Sequence, residues 1–145
     1  RRDSEPLLRR ALSINEKVVG PASPEVASNL SNLGLLLRDD GRGAEGKPLL
    51  VRALAIRDKS YGPEHSLTVQ TAENLANLYL DDEEFEQAEP LLRRLLPLKE
   101  KRLGADDPQI ADLLEKLAVV CVGSGRAEEA HEFWRRAEAV RARRK

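Results

Sequence analysis

Between Thr68 and Tyr79, the small and apolar residues Thr68, Ala72, Leu75, Ala76 and Tyr79 fall at steps i, i+4, i+7, i+8 and i+11, with Gln70, Glu73, Asn74 and Asn77 interleaved. That spacing predicts an amphipathic helix with one buried face. The segment is one of three equivalents, Pro24 to Asp39, Ser66 to Asp81 and Pro108 to Val122, called first helices below. Ser23 and Asp107 precede proline at two of these starts. A side-chain oxygen there can cap the helix, and the missing proline N–H costs nothing at its first position. Gly41 and the Ser124–Gly125 pair stand where such helices stop. A second kind of apolar stripe follows each turn: Leu7, Leu8, Ala11, Leu12 and Ile14, then Leu49, Leu50, Ala53, Leu54 and Ile56. These second helices run to just before Gly20, Gly62 or Gly104.

The stripes repeat in register. EPLLRRALSINEKVVG at 5–20, KPLLVRALAIRDKSYG at 47–62 and EPLLRRLLPLKEKRLG at 89–104 align without a gap, so Pro6, Pro48 and Pro90 are 42 apart (48−6, 90−48). Leu33, Leu75 and Leu117 keep the same step and are expected to be buried between the helices of their repeats, with Arg94 facing outward. A degenerate copy begins at His131. About seven helices are expected. A truncated repeat occupies 1–20, and repeats follow at about 24–62, 66–104 and 108–145, all in one domain over 1–145. No helix here can bury its stripe alone, which is why such units occur as arrays. Arg1 aligns with Gly43 and Phe85, so the chain opens in a second helix, and it contains no methionine. Both features suggest a piece of a longer protein.

Composition narrows the class. Of 145 residues 41% are hydrophobic and only 3% aromatic, mostly Leu, Ala and Val on the apolar side, which favours helix on helix over sheet. The net charge of -1 gives no reason to expect nucleic acid or an anionic membrane as partner. No apolar run approaches the ~18 residues a membrane span needs, and no signal peptide heads the sequence, so a cytoplasmic setting is expected. Cys121 is the sole cysteine and stands in an apolar column with Leu37 and Tyr79, where burial is expected.

The run NLANLY (Asn74 to Tyr79), then FEQAEPLLRR (Phe85 to Arg94), then a lengthened helix closing on K-x-x-G, resembles the tetratricopeptide repeat of the kinesin-light-chain type, with its 42-residue period. The resemblance covers the whole chain. It implies an all-α, right-handed α-solenoid of antiparallel helix pairs whose first helices line a concave groove. On that groove it places Ser28, Ser31, Asn32, Leu35 and Arg38, then Gln70, Glu73, Asn74, Asn77 and Asp81, then Asp112, Glu115, Lys116 and Val119. Asn32 and Asn74 match an asparagine ladder that hydrogen-bonds the backbone of an extended peptide, a task for which an amide both donates and accepts. Lys116 interrupts the ladder at its third rung.

Other motifs point to no chemistry. GRGAEGKP at 41–48 satisfies two glycine-rich nucleotide signatures, but it lies between two helices instead of after a strand, and Pro48 stands where magnesium would need Ser or Thr. His65 and His131 are far apart in sequence, and His65 sits at the step occupied by Ser23 and Asp107, where a cap or turn residue is expected. Arg10, Arg52, Arg94 and Arg136, doubled by Arg9, Arg93 and Arg135, form a ladder expected to solvate the outer helices through pairs such as Glu5–Arg9. The tail VRARRK is expected to be a frayed helix end or a linker. No catalytic residue, cofactor or metal is expected. The expected function is a protein–protein interaction scaffold that holds a peptide or partner surface in the groove. Asp39, Glu73, Asp81, Asp112 and Glu115 against Arg38 and Lys116 argue for basic or neutral peptides over acidic ones. The rival is a regulatory or self-associating solenoid segment of a larger signalling protein or enzyme.

Overall fold

A computed structural model describes residues 4–143. Arg1, with its alignment to Gly43 and Phe85, and the last two residues of the VRARRK tail lie outside the described residues. Those described form seven helices in chain order: α1 (Ser4–Val18), α2 (Pro24–Asp39), α3 (Gly43–Tyr61), α4 (Ser66–Asp81), α5 (Phe85–Leu103), α6 (Pro108–Gly123) and α7 (Ala127–Arg143). The structure is 84% helical, with no strand among the described residues. Contacts gather into two compact units, one up to Leu78 and one from Tyr79, so the boundary falls inside α4.

The helix ends follow from local chemistry. Ser23 Oγ accepts from Val26 N at 3.4 Å and an Asp107 carboxylate oxygen from Gln109 N at 2.9 Å, each ahead of a proline in the first turn. His65 does this work for α4: its Nδ1 accepts from Leu67 N at 3.1 Å, and its ring stacks on Tyr61. Each first helix closes with the same left-handed turn. Arg42 N donates to Leu37 O at 2.7 Å, Glu84 N to Tyr79 O at 2.8 Å and Arg126 N to Cys121 O at 2.7 Å. The left-handed residue is Gly41, Glu83 and Gly125 in turn; Glu83, at φ 57, carries a side chain where the other two carry none.

In the first unit, α2 and α3 cross closely enough to require two glycines. A Cβ on Gly46 would stand 2.6 Å from the carbonyl oxygen of Gly34, and one on Gly34 would crowd Leu50 at 3.0 Å. Val26, Ala27 and Leu30 of α2 pack with Ala53 and Ile56 of α3, and Leu12 and Leu49 lie against them. Thr68, Ala72, Leu75 and Ala76 are buried as expected, but so are Val69, Thr71 and Leu78, so α4 is covered over a wider arc than its periodicity implied. In α1 the expectation fails. Leu7 and Ile14 are exposed, and the helix has no buried residue, because α2 covers only one side of it.

In the second unit, Leu92 and Leu95 of α5, Leu114 and Leu117 of α6, and Ala130, Phe133 and Ala137 of α7 are buried. Cys121 is buried too, and burial pushes its thiol above the ordinary value. Phe85 packs against Gly123, where any side chain would collide with the ring. Arg94, expected outward, is half-buried, and its Nε is buried without a hydrogen-bond partner. The tail is not frayed over its described part. Arg141 pairs with Asp112 and Glu115, and Arg143 Nη1 donates to Asp106 at 2.8 Å.

Candidate functional site

The helical period that buries Leu30, Leu33 and Leu37 turns the other side of α2 outward, and the predicted residues are there. Ser28 and Asn32 are exposed, and Leu35 and Arg38 are half-buried. Ser31, placed on the same face by the sequence, is buried instead; it falls next to Leu30 on the core side of the helix. Beside Asn32, α1 and α2 enclose an open depression of about 500 Å³ lined by Ser4, Leu7, Leu8, Asn32, Leu35, Leu36 and Asp39. Four leucines line it with one hydroxyl, one amide and one carboxylate, the usual composition of a small side-chain pocket.

On α4, Gln70 is exposed while Glu73, Asn74 and Asn77 are half-buried. Asn32 and Asn74 occupy the same repeat position, and neither side chain makes a hydrogen bond to any described residue. An amide that the fold itself does not use remains available to an incoming backbone. Asp81 is exposed at the end of α4, within the other unit. On α6, Asp112 and Val119 are exposed, and Glu115 and Lys116 are half-buried.

Ion pairs change the charge of these faces. Arg38 donates to Asp39 at 3.1 and 3.2 Å. Arg141 of α7 reaches back to Asp112 at 3.3 Å and to Glu115, and its guanidinium holds the Glu115 carboxyl below the usual range. Asp112 and Glu115 share Arg141, a cation outside the sequence-based count, whereas Asp39 pairs with Arg38, which is already in it. The net negative charge expected there falls by one, from -3 (2−5) to -2 (3−5).

One residue was missed. Arg57 of α3 is 5% exposed and has no carboxylate partner among the described residues. Its Nη1 donates to Thr71 Oγ1 at 2.7 Å and its Nη2 to Ser28 Oγ at 3.4 Å, while its Nε has no hydrogen-bond partner. Burial opposes its charge, and an arginine cannot shed the proton in compensation. The cation therefore sits directly under Ser28 on the predicted face. The available signal was the polar column Asn15, Arg57, Lys99 and Arg141 running through an otherwise apolar stripe.

The glycine-rich run 41–48 is a helix–turn–helix: Gly41 closes α2, and Gly43, Gly46, Lys47 and Pro48 are inside α3. No group of three or more His, Cys, Asp or Glu at metal-binding distance occurs among the described residues. No described helix is long and apolar enough to cross a membrane.

Helix pairs repeating at a fixed step, each closing with the same turn, define a helix-pair repeat protein. Tetratricopeptide repeat models match residues 25–101 and 71–143, and a second tetratricopeptide repeat model matches residues 1–25. The chain belongs to the tetratricopeptide repeat family. No curated protein matches it. Among solved structures, BtubC (BKLC) from P. vanneervenii is similar with a TM-score of 0.77 at 21% identity, over 95% of this chain and 55% of that one. A Podosopora anserina protein described as a kinesin light chain with nearly identical TPR-like repeats is similar in two crystal structures. Their TM-scores are 0.83 and 0.82 at 22% identity, over 98% of this chain and 67% of that one. This chain thus spans about half the length of the first of these. At such identities the likeness is one of fold: an α-solenoid of the tetratricopeptide type, with kinesin-light-chain-like neighbours. Repeats of this family generally mediate protein–protein interaction.

Proposed function

We propose that the chain is a binding module, not a catalyst, and that it holds an extended peptide or a partner's loop against the outward faces of its first helices. The observation that carries this reading is the pair of unused amides on Asn32 and Asn74 at the same repeat position of α2 and α4. Two amides one repeat apart can each grip a peptide group without regard to side-chain identity. The leucine-lined depression beside Asn32 would take one apolar side chain of the ligand. Ser28, Leu35, Arg38, Gln70, Glu73 and Asn77 flank these groups, and Asp81, Asp112, Glu115 and Lys116 belong to the same reading in the second unit. Repeats at about 24–62, 66–104 and 108–145, preceded by a second helix within 1–20, and a cytoplasmic setting complete it.

With Arg141 beside Asp112 and Glu115 the excess of carboxylates falls by one, and a neutral or weakly basic peptide is favoured over a strongly basic one. Arg57 favours a second reading, in which an acidic side chain of the ligand lies over Ser28 and relieves the buried cation. Titrating fluorescent extended peptides of both charges, at low and high salt, tests the two together. Asn32→Ala and Asn74→Ala should weaken every peptide by about 1 kcal/mol each, since each removes one neutral hydrogen bond. Arg57→Gln should weaken only acidic peptides if the second reading holds. Saturable binding that ignores both asparagines would remove the first.

A further inference from the structure

The three first helices start from one repeat position, and each is capped by a different kind of atom. Ser23 presents a hydroxyl, His65 an imidazole nitrogen and Asp107 a carboxylate, 42 residues apart (65−23, 107−65). Proline follows Ser23 and Asp107 and suits the first turn without needing an N–H partner, whereas Ser66 follows His65. The start of α4 therefore depends more on its cap than the other two. That cap is also the one whose acceptor a proton removes near neutral pH, since histidine changes charge between about pH 5 and 8.

The geometry of His65 requires the neutral ring. Its Nδ1 accepts from Leu67 N at 3.1 Å, so the ring proton is on Nε2. The ring stacks on Tyr61 with centroids 4.4 Å apart and planes at 20°, which fixes the direction of Nδ1. The titratable and charged groups around it are Tyr61 and, a turn further back on α3, Asp58 and Lys59, with Glu64 in the connecting turn. The first turn of α4 carries none. A proton on Nδ1 would set donor against donor at Leu67 and place a cation at the positive end of α4.

From that turn a row of hydrogen bonds leads inward. Thr71 Oγ1 donates to Leu67 O at 2.7 Å and accepts from Arg57 Nη1 at 2.7 Å, and Arg57 Nη2 donates to Ser28 Oγ at 3.4 Å. Thr68 Oγ1 donates to Arg57 O at 3.3 Å. Arg57 has no carboxylate partner among the described residues and its Nε is unbonded, so Thr71 is its closest restraint. Every residue of this row belongs to the first unit.

We propose that His65 is a proton-operated switch on the position of Arg57. Protonation of the ring releases the first turn of α4, Thr71 loses the Leu67 carbonyl, and the guanidinium beneath Ser28 loses its shortest hydrogen bond. The consequence for a ligand rests on the binding role of this face. The coupling of His65 to Arg57 does not, and it is tested without ligand.

The test follows the isotope-labelled chain by NMR from about pH 7.5 to 5.5, above the carboxylate range. The His65 ring, the Leu67 amide and the Arg57 Nε–H should titrate with one midpoint. Amide protection over residues 67–71 should fall by ~5-fold or more as the ring is protonated, the usual effect of losing a cap. In His65→Asn, which keeps a capping oxygen and gains no proton, the Leu67 and Arg57 changes should disappear while His131 still titrates. Thr71→Val should leave Leu67 titrating and hold Arg57 constant. If Thr71→Val does not fold, the comparison with His65→Asn decides alone. The proposal is overturned if Arg57 does not follow the His65 ring, if it changes equally in His65→Asn, or if it still follows the ring in folded Thr71→Val.

Discussion

Gly46 has opposite effects at two levels. A helical glycine costs ~1 kcal/mol relative to alanine, and Gly46 stands where the other copies carry Ala88 and Ala130. In the structure a Cβ there would stand 2.6 Å from a backbone oxygen of α2, so the helices would have to part. Gly46→Ala should therefore destabilise by ~1–3 kcal/mol in denaturant melts, the usual cost of overpacking. A gain would mean that α2 and α3 separate freely. Glu83 presents the converse case. It holds φ 57 at the position where Gly41 and Gly125 close their helices, and a left-handed L-residue costs roughly 1–2 kcal/mol. Glu83→Gly should raise the melting temperature by removing that strain. An unchanged or lower value would show that Glu83 holds its turn in another way. Neither effect was legible in the sequence, because each depends on a through-space distance or a backbone angle. Arg57 escaped for a related reason: periodicity placed it beside Ile56 on the buried side of α3 but could not say that its guanidinium would lack a carboxylate.

At the scale of elements the sequence was highly legible. The bounds of α2 and α4 are as expected, and α6 ends one residue later, because caps, prolines and closing turns act locally and leave marks in the chain. Leu33, Leu75 and Leu117 are buried, as the common step required. Leu75→Ala should cost ~2–5 kcal/mol by leaving a cavity. Arg135→Ala, on an exposed side chain paired with exposed Glu132, should cost under ~0.5 kcal/mol. The reverse order in denaturant melts would mean the buried and exposed faces are inverted. What the sequence hid is how elements are tied together. Glu5 holds Arg9 and Arg42, and Glu89 holds Arg93 and Arg126, so Arg42 and Arg126, which stand outside the ladder read as solvation, clamp α1 to the turn after α2 and α5 to the turn after α6. Arg126, and then Arg93, hold the Glu89 carboxyl below the usual range. A depressed folded-state value means that the clamp contributes stability above the ordinary carboxylate range and loses it as pH falls through the lowered value. Glu89→Gln should therefore flatten the acid limb of the stability profile, by about 1 kcal/mol or less because both partners are partly exposed. An unchanged limb would mean the pair contributes nothing.

For the whole molecule, the resemblance to kinesin-light-chain repeats correctly indicated the fold, since an ungapped 42-residue register over the chain leaves few other ways to bury the stripes. It was less informative about the site. It placed Asn32 and Asn74 where their amides stay unused, but it set Ser31 on the exposed face, and the charge count beside it left out Arg141, which reaches Asp112 and Glu115. Sequence spacing gives the side of a helix; the partner a charged side chain finds across a repeat depends on packing. The same limit applies to α1, whose stripe was predicted to be buried and is half open.

The central claim is that unused amides on the first helices grip an extended backbone, and fluorescence anisotropy with a set of unrelated, unstructured peptides tests it most directly. The account predicts saturable binding that weakens by a similar factor, ~5-fold, for every peptide when Asn74 is changed to Ala, with circular dichroism unchanged. Binding that is unaffected by Asn74→Ala, or that falls for some peptides and not for others, would contradict it.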